Sequence, residues 1–213
     1  MIKQFTILGE RNSGTHFLQY AMTRNFEIEY IRGPQDKHFF GFTEPLSNDD
    51  MLTICIFRHP VDWIDSYFKR LHFVPKQNRI NIEAFISNEF YSVKEDGTEI
   101  MEDRNYITGE RYKNIFELRK TKHDYLLNSV PKKVKNVYIL KYEDLRDNFE
   151  NVIMDIQAKF GLNMKNDFIT KIEKYKGTYN ALYELKPILL NDEIKQKILD
   201  NVDREQEKCI GYE

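Results

Sequence analysis

Two glycines in the stretch ILGERNSGTH, residues 7–16, have the spacing of a phosphate-binding loop. Gly9 and Gly14 occupy the glycine positions of the pattern G-x-x-x-x-G-K-[ST], whose lysine and hydroxyl contact phosphates and Mg²⁺. Thr15 stands at the lysine position and His16 at the hydroxyl position. Successive main-chain N–H groups and the start of a helix can still bind an anion there. The spacing therefore predicts an anion site that works without the P-loop lysine and metal ligand.

The residues around these glycines could add donors to that site. Ser13 and Thr15 carry hydroxyls, Arg11 carries a positive charge, and the strand–loop–helix context favours a phosphate cradle. The alternative is an ordinary strand-to-helix turn, capped by Ser13 or Thr15. The loop alone does not separate these two interpretations.

A second group of residues follows the most apolar segment of the chain, MLTICIF. Arg58 ends this segment, Pro60 suits the first position of a helix, and Ser66 lies further along that helix. With a helical rise of about 1.5 Å per residue, Ser66 would lie about 9 Å along the axis from Pro60. A long arginine side chain folded along the helix could share one phosphate with that serine. An arginine and a serine at this spacing are common in proteins. Beside an N-terminal phosphate loop, however, they indicate a phosphate site more strongly.

Together these motifs resemble those of sulfotransferases that use 3′-phosphoadenosine 5′-phosphosulfate (PAPS). That family grips the 5′-phosphosulfate with a loop of the form [PQ]-[KR]-[ST]-G-T, and RNSGT matches its last three positions. The beginning of the family's 3′-phosphate motif, R-x-P-x-x-x-x-x-S, is matched by Arg58, Pro60 and Ser66. Tyr67 directly follows that serine. VYILKYEDL resembles a later strand of the family with its Y-E-D-L turn, so the resemblance covers residues 5 to about 161.

The resemblance implies a fold, a donor and the residues that bind it. The expected fold is an α/β single domain over residues 1–213, with a parallel sheet flanked by helices in a P-loop NTPase-like architecture. PAPS would be the donor and PAP, the 3′-phosphorylated adenosine nucleotide, the product. No metal is expected, because a transferring sulfuryl group carries less negative charge than a γ-phosphoryl group. The donor-binding residues would be Arg11, Asn12, Ser13, Gly14, Thr15, His16, Arg58, Ser66 and Lys176.

Two parts of the sequence depart from the family's pattern. The loop lysine or arginine of the family falls at Asn12 here, and Arg11 lies one residue earlier. Either Arg11 or Lys37 would then stabilise the leaving phosphate, or the protein would bind the nucleotide and transfer poorly. The C-terminal R-K-G motif of the family is represented only by Lys176 and Gly177.

Transfer to a hydroxyl also needs a general base. His38 lies in the long loop between the two phosphate motifs, and the catalytic histidine of the family occupies a similar place. An imidazole, with an unperturbed pKa near ~6.5, can accept a hydroxyl proton near neutral pH. A structural or surface role for His38 is the alternative. Glu44 in the same loop is the rival base, because some carbohydrate-modifying relatives use a glutamate. The predicted catalytic residues are His38, Glu44, Arg11 and Lys37.

The elements that must position these residues follow from the hydrophobic pattern. KQFTILG, FEIEYI, MLTICIF and KNVYIL predict strands, with MLTICIF and KNVYIL buried. SGTHFLQYAMTRNF and DNFENVIMDIQAKFG predict amphipathic helices, the second ended by Gly161. The polar middle, about residues 80 to 131, predicts helices ending at Pro131, and the tail from 162 predicts short helices. Strands alternating with helices indicate an α/β fold with a parallel sheet.

Composition narrows the classes of function. Of the 213 residues, 41% are hydrophobic and 14% aromatic, which is enough for one folded domain. The net charge of −2 argues against a general nucleic-acid binder, and no apolar run predicts a membrane span. Two cysteines and the lack of a signal-peptide pattern favour the cytoplasm. We expect an enzyme acting on a small-molecule or carbohydrate acceptor. A P-loop nucleotide or small-molecule kinase and a non-catalytic nucleotide-binding module are the alternatives.

Overall fold

A computed structural model of the chain describes residues 1–33, 36–44, 49–173 and 187–212. These residues contain a four-stranded sheet in the order β2-β1-β3-β4, and every pair of neighbouring strands is parallel. The strands are β1 (Gln4–Leu8), β2 (Glu29–Tyr30), β3 (Met51–Phe57) and β4 (Asn136–Lys141). The predicted α/β class with a parallel sheet is therefore confirmed.

Helices connect and follow the strands. They are α1 (Thr15–Asn25), α2 (Pro60–Phe68), α3 (Ile82–Ser87), α4 (Ile115–Asp124), α5 (Val130–Lys133), α6 (Tyr142–Asp147), α7 (Phe149–Phe160), α8 (Asp192–Asn201) and α9 (Arg204–Ile210). Two 3₁₀ turns, Lys76–Arg79 and Met101–Asp103, and a π-helical turn, Tyr125–Ser129, lie between them. As predicted, Pro60 is the first residue of α2, and Gly161 ends α7 in the left-handed conformation.

The two predicted buried strands differ in their burial. Every residue of β3 is buried, because this strand lies between β1 and β4. The prediction of a buried β4 is wrong, because β4 is an edge strand in which Ile139 is 42% exposed. An apolar run in the sequence does not distinguish a central strand from an edge strand.

The prediction that Pro131 ends the helical middle section is also wrong. The π-helical turn Tyr125–Ser129 follows α4 directly, and α5 continues through Pro131 to Lys133. A proline inside a helix lacks the N–H that would bond to the preceding turn. The wider turn lies where that bond is missing, so the chain continues as a helix past the proline.

Helices cover both faces of the sheet. Alternate residues of β3, among them Leu52 and Ile54, belong to a core shared with α1 and α7. Cys55 and Phe57 face the other side and pack with residues of the π-helical turn, α5 and the C-terminal segment. Within the described part of the chain, no helix is long and apolar enough to cross a membrane.

Candidate functional site

The loop between β1 and α1 has the sharp backbone turns that the glycine pattern predicted. Asn12 and Gly14 both have left-handed backbones, with φ of 62° and 92°. The N–H of Ser13 donates to the oxygen of Glu10 at 3.1 Å and closes the turn. A Cβ added at Gly14 would lie 2.3 Å from the ring of Tyr142, so only glycine fits this position without a shift.

The N-terminus of α1 follows directly on this loop. Gly14 is its N-cap, and among the described residues no side chain caps it and no acidic residue occupies its first turn. The first N–H groups of a helix have no acceptor within the helix, and together they carry a partial positive charge. Ser13 and Thr15, the predicted hydroxyl donors, lie here and are almost fully buried. The loop and the start of α1 therefore form a main-chain cradle suited to an anion.

The structure brings Arg58 to this loop. Since β1 and β3 are neighbouring parallel strands, their carboxyl ends share one edge of the sheet, where ligands of such sheets usually bind. Arg58 Nη1 donates to the main-chain oxygen of Asn12 at 2.8 Å. Its guanidinium lies 4.5 Å from the ring centre of Tyr142, the residue that also packs against Gly14. Ser66 lies in α2 with a half-buried side chain.

Tyr142 contacts the loop, and the sequence did not predict this position for it. It is the first residue of α6, at the start of the Y-E-D-L segment, and only 2% of it is exposed. Its ring supports both Gly14 and the Arg58 guanidinium. The resemblance of that segment to the sulfotransferase turn was the available signal, but it gave no role for the tyrosine.

His38 lies directly against the loop. Its Nδ1 is 2.8 Å from the oxygen of Gly9, and the Gly9 N–H donates to the oxygen of Lys37 at 3.0 Å. A carbonyl oxygen only accepts, so Nδ1 carries the proton and Nε2 of the neutral ring is the proton acceptor. Burial lowers the pKa of the imidazole well below its usual range, and the charges of Arg11 and Lys37 lower it further. The ring is therefore neutral near pH 7 and can act as a base.

Lys37 brings a positive charge to the start of α1. Its Nζ lies 3.2 Å from Nε2 of His16, a residue in the first turn of the helix. An ammonium only donates, so the His16 nitrogen accepts in this contact. Both predicted residues thus lie at the N-terminus of α1, at the protein surface.

Arg11, one of the two loop cations that the sequence suggested, is buried and forms an ion pair. It is 4% exposed, with Nη2 donating to Asp103 at 2.7 Å and Nη1 donating to the Tyr67 hydroxyl at 2.9 Å. The guanidinium also lies 4.6 Å from the ring centre of Phe39 and 5.3 Å from that of Phe73. In this arrangement the charge of Arg11 is balanced by Asp103, so Lys37 is the better placed of the two predicted loop cations.

The remaining predicted residues lie away from the loop or outside the described chain. Glu44 is an exposed residue that forms an ion pair with Lys133 at 2.7 Å, whereas His38 bonds to the loop itself. Lys176 and Gly177 fall outside the described residues. Of the two bases predicted from the sequence, His38 is therefore the one that lies beside the loop.

Two buried ion-pair groups near the site had no signal in the sequence. Lys122 of α4 contacts Glu10 of the loop, 112 positions away in the chain. Arg119 of the same helix forms two bonds with Glu207 of α9, at 2.6 and 2.7 Å, and donates to the oxygen of Arg58 at 2.9 Å. The C-terminal helix is thereby joined to the end of β3.

A scan against protein-family models finds no match for this chain, and no curated protein matches it. Among the described residues, no group of three or more His, Cys, Asp or Glu side chains is placed to hold a metal ion. A proposal of function therefore depends on the geometry of the loop and on the motifs that it contains.

Proposed function

We propose that this protein transfers a sulfuryl group from PAPS to a hydroxyl or amine of a small-molecule or carbohydrate acceptor. The observation that carries the proposal is the pairing of a neutral imidazole, His38, with the anion cradle at Gly9–Thr15. Arg58, from the motif that resembles the 3′-phosphate motif of sulfotransferases, contacts the same loop. A P-loop NTPase-like, sulfotransferase-like domain over residues 1–213 is part of the proposal.

The residues present fit a nucleotide with two anionic ends. The loop N–H groups and the start of α1 would hold the 5′-phosphosulfate, with Lys37 adding a positive charge. Arg58 and Ser66 would hold the 3′-phosphate, for which a guanidinium is well suited. When bound, PAPS would supply the sulfuryl group. Nε2 of His38 would accept the proton of the acceptor hydroxyl as its oxygen bonds to sulfur, and PAP would leave with the bridging oxygen as the sulfur–oxygen bond of the donor breaks.

A non-catalytic nucleotide-binding module is the second candidate. Asn12 occupies the position of the family's loop cation, and the neighbouring Arg11 is buried against Asp103. Without a cation at the leaving phosphate, such a protein would bind PAP and turn over slowly. The free thiols of Cys55 and Cys209 suit a reducing compartment, and a cytoplasmic location is proposed with either function.

Calorimetric titration of PAP, 5′-AMP and ADP tests the proposal. PAP should bind in EDTA and more tightly than 5′-AMP, because only PAP carries the 3′-phosphate for Arg58. ADP should not gain affinity from Mg²⁺, because Thr15 replaces the P-loop lysine and His16 the metal-holding hydroxyl. Equal binding of PAP and 5′-AMP, or binding only with Mg²⁺, would contradict the donor assignment and favour a P-loop kinase. Turnover of labelled PAPS with a panel of acceptors then separates an enzyme from a binding module.

A further inference from the structure

Lys122 brings a buried positive charge to the boundary between the anion-binding loop and His38. Its ammonium donates to Glu10 Oε1 and to the main-chain oxygen of His38, each at 2.7 Å, and it also contacts the Asp103 carboxylate. The Lys122 side chain is 1% exposed, and both carboxylates are fully buried. These contacts use the three N–H donors that an ammonium has.

The same cluster of charges is balanced. Asp103 also accepts hydrogen bonds from Arg11 and Ser92. The cluster therefore contains two positive side chains, Lys122 and Arg11, and two carboxylates, Glu10 and Asp103. Balanced and bonded groups of this kind are tolerated in a protein interior, whereas a single unpaired charge is not. The cluster joins three parts of the chain to helix α4. These are the loop, the 3₁₀ turn Met101–Asp103, and residues 37 and 38, which we call the His38 segment.

We infer that Lys122 is a positioning residue, which fixes the base His38 relative to the anion-binding loop. Its ammonium bonds both to Glu10 of the loop and to the main chain of His38. The inference rests on the proposed function. Without Lys122, the His38 segment would keep its two hydrogen bonds to Gly9, and both of these involve one residue of the loop. Lys122 adds a hydrogen bond from helix α4 to the main chain of His38 itself. Such precision matters, because a displacement of about 1 Å in a reacting group can lower a rate about 10²-fold.

A purely structural role, in which Lys122 only neutralises buried carboxylates, makes a different prediction. The double variant Glu10→Gln with Lys122→Met separates the two roles, because it removes one charge of each sign. The ion pair between Arg11 and Asp103 remains, so no buried charge is left without a partner. Lys120→Met is the matched control, since Lys120 lies in the same helix and pairs with Asp203 at the surface.

Proton NMR of the imidazole tests the inference without any turnover. In the wild-type protein, the Nδ1 proton of His38 should exchange slowly with water, because it is bonded to Gly9. In the double variant, this proton should exchange faster, while Lys120→Met should match the wild type. An Nδ1 proton that exchanges equally slowly in the double variant would overturn the inference.

A measurement on the wild-type protein covers the case in which the double variant does not fold. The Lys122 ammonium should exchange slowly with water, and it should show a coupling across its hydrogen bond to the His38 carbonyl carbon. Fast exchange of this ammonium would contradict the contact on which the inference depends.

Kinetics give the second test, in which binding and turnover are compared. In the double variant, kcat should fall about 10²-fold, the loss expected for a displaced base. The Kd for PAP should rise by a smaller factor than kcat falls, because Trp63 and Arg58 still bond to the loop after the contact between Lys122 and Glu10 is lost. Equal losses of PAP binding and kcat would show that Lys122 supports the loop instead. If the wild-type protein binds no PAP, the proposed function fails, while the NMR result still decides the position of His38.

Discussion

His38 is held as the tautomer that a general base needs, with its proton on Nδ1 and a lone pair on Nε2. A base of this kind typically contributes about 10²–10⁴-fold in rate, so His38→Asn should lower kcat by that factor. The Kd for PAP should change little, because the anion cradle is built from the main chain. Initial rates with labelled PAPS give kcat, and titration of PAP gives its Kd.

Glu44→Gln is the control for this prediction. It changes an exposed ion pair with Lys133 and should keep the wild-type rate. Loss of activity in that variant alone would move the base to Glu44.

The pH dependence of the wild-type rate follows from the same residue. Burial and the charges of Arg11 and Lys37 lower the pKa of His38 well below 6.5, and a protonated ring cannot accept a proton. The rate should therefore stay constant as the pH falls through 6.5 and decrease only at more acidic pH. A rate that halves near an unperturbed imidazole pKa of ~6.5 would contradict this placement of the base.

Arg58 is the residue on which selectivity for a 3′-phosphate should depend. Arg58→Ala should weaken PAP binding by about 2–4 kcal/mol, the cost of losing one partner of a charge-assisted pair. The Kd for 5′-AMP, which lacks the 3′-phosphate, should change much less. Arg58→Lys keeps the charge but loses the planar stacking on Tyr142, and it should give an intermediate affinity. Equal losses for PAP and 5′-AMP would show that Arg58 acts only by holding Asn12.

At the scale of elements, the loop and α1 depend on the close packing of Gly14 against Tyr142. Gly14→Ala would place a methyl group 2.3 Å from the tyrosine ring, at a backbone φ of 92°. We expect the free energy of unfolding to fall by about 3 kcal/mol, from left-handed strain together with overpacking. Urea denaturation measures the loss, and the Kd for PAP should rise in the same variant.

Gly97→Ala separates the two causes of that loss. Gly97 has a similar φ of 87°, but an added Cβ would have no atom within 4 Å. This control should lose only the backbone contribution, about 1 kcal/mol. If the two alanine variants lost the same free energy, the contact between Gly14 and Tyr142 would carry no cost, and the close approach of α6 to the loop would be in doubt.

At the scale of the whole molecule, the half-buried His38 and the buried His123 should make stability depend on pH. Burial lowers the pKa of His38 and of His123 well below 6.5, and positive charges nearby lower both further. As the pH falls below 6.5, the unfolded chain takes up protons that the folded protein does not, so folding becomes less favourable. Each histidine should remove about 1.4 kcal/mol of unfolding free energy per pH unit in this range.

Denaturation at several pH values measures this slope. The double variant His38→Gln with His123→Gln should lose it, while other titrating groups, such as Glu10, contribute equally to both proteins. An equal slope in the double variant and the wild type would mean that both rings protonate in the folded protein.

Local pattern was enough to predict the elements that carry the site. The mostly apolar segment Met51–Phe57 is a buried inner strand, Gly161 ends α7, and the loop of Gly9 and Gly14 has left-handed turns. These features depend on neighbours within a few residues, because backbone conformation and the period of a helix or strand are local properties. The place of His38 between the two motifs, together with the family resemblance, predicted a base, and its contact with Gly9 came from the structure.

Only the tertiary structure decided which charges face the site and which are buried beneath it. Arg11 and Asn12 are adjacent in the sequence, yet Arg11 pairs with Asp103, 92 positions away, and Asn12 accepts from Arg58. The sheet order makes β4 an edge strand, and the fold brings Lys122 of α4 into contact with Glu10 of the loop. Such pairings depend on distances in the folded chain, and a residue's type and spacing carry no information about a partner so far away in the sequence.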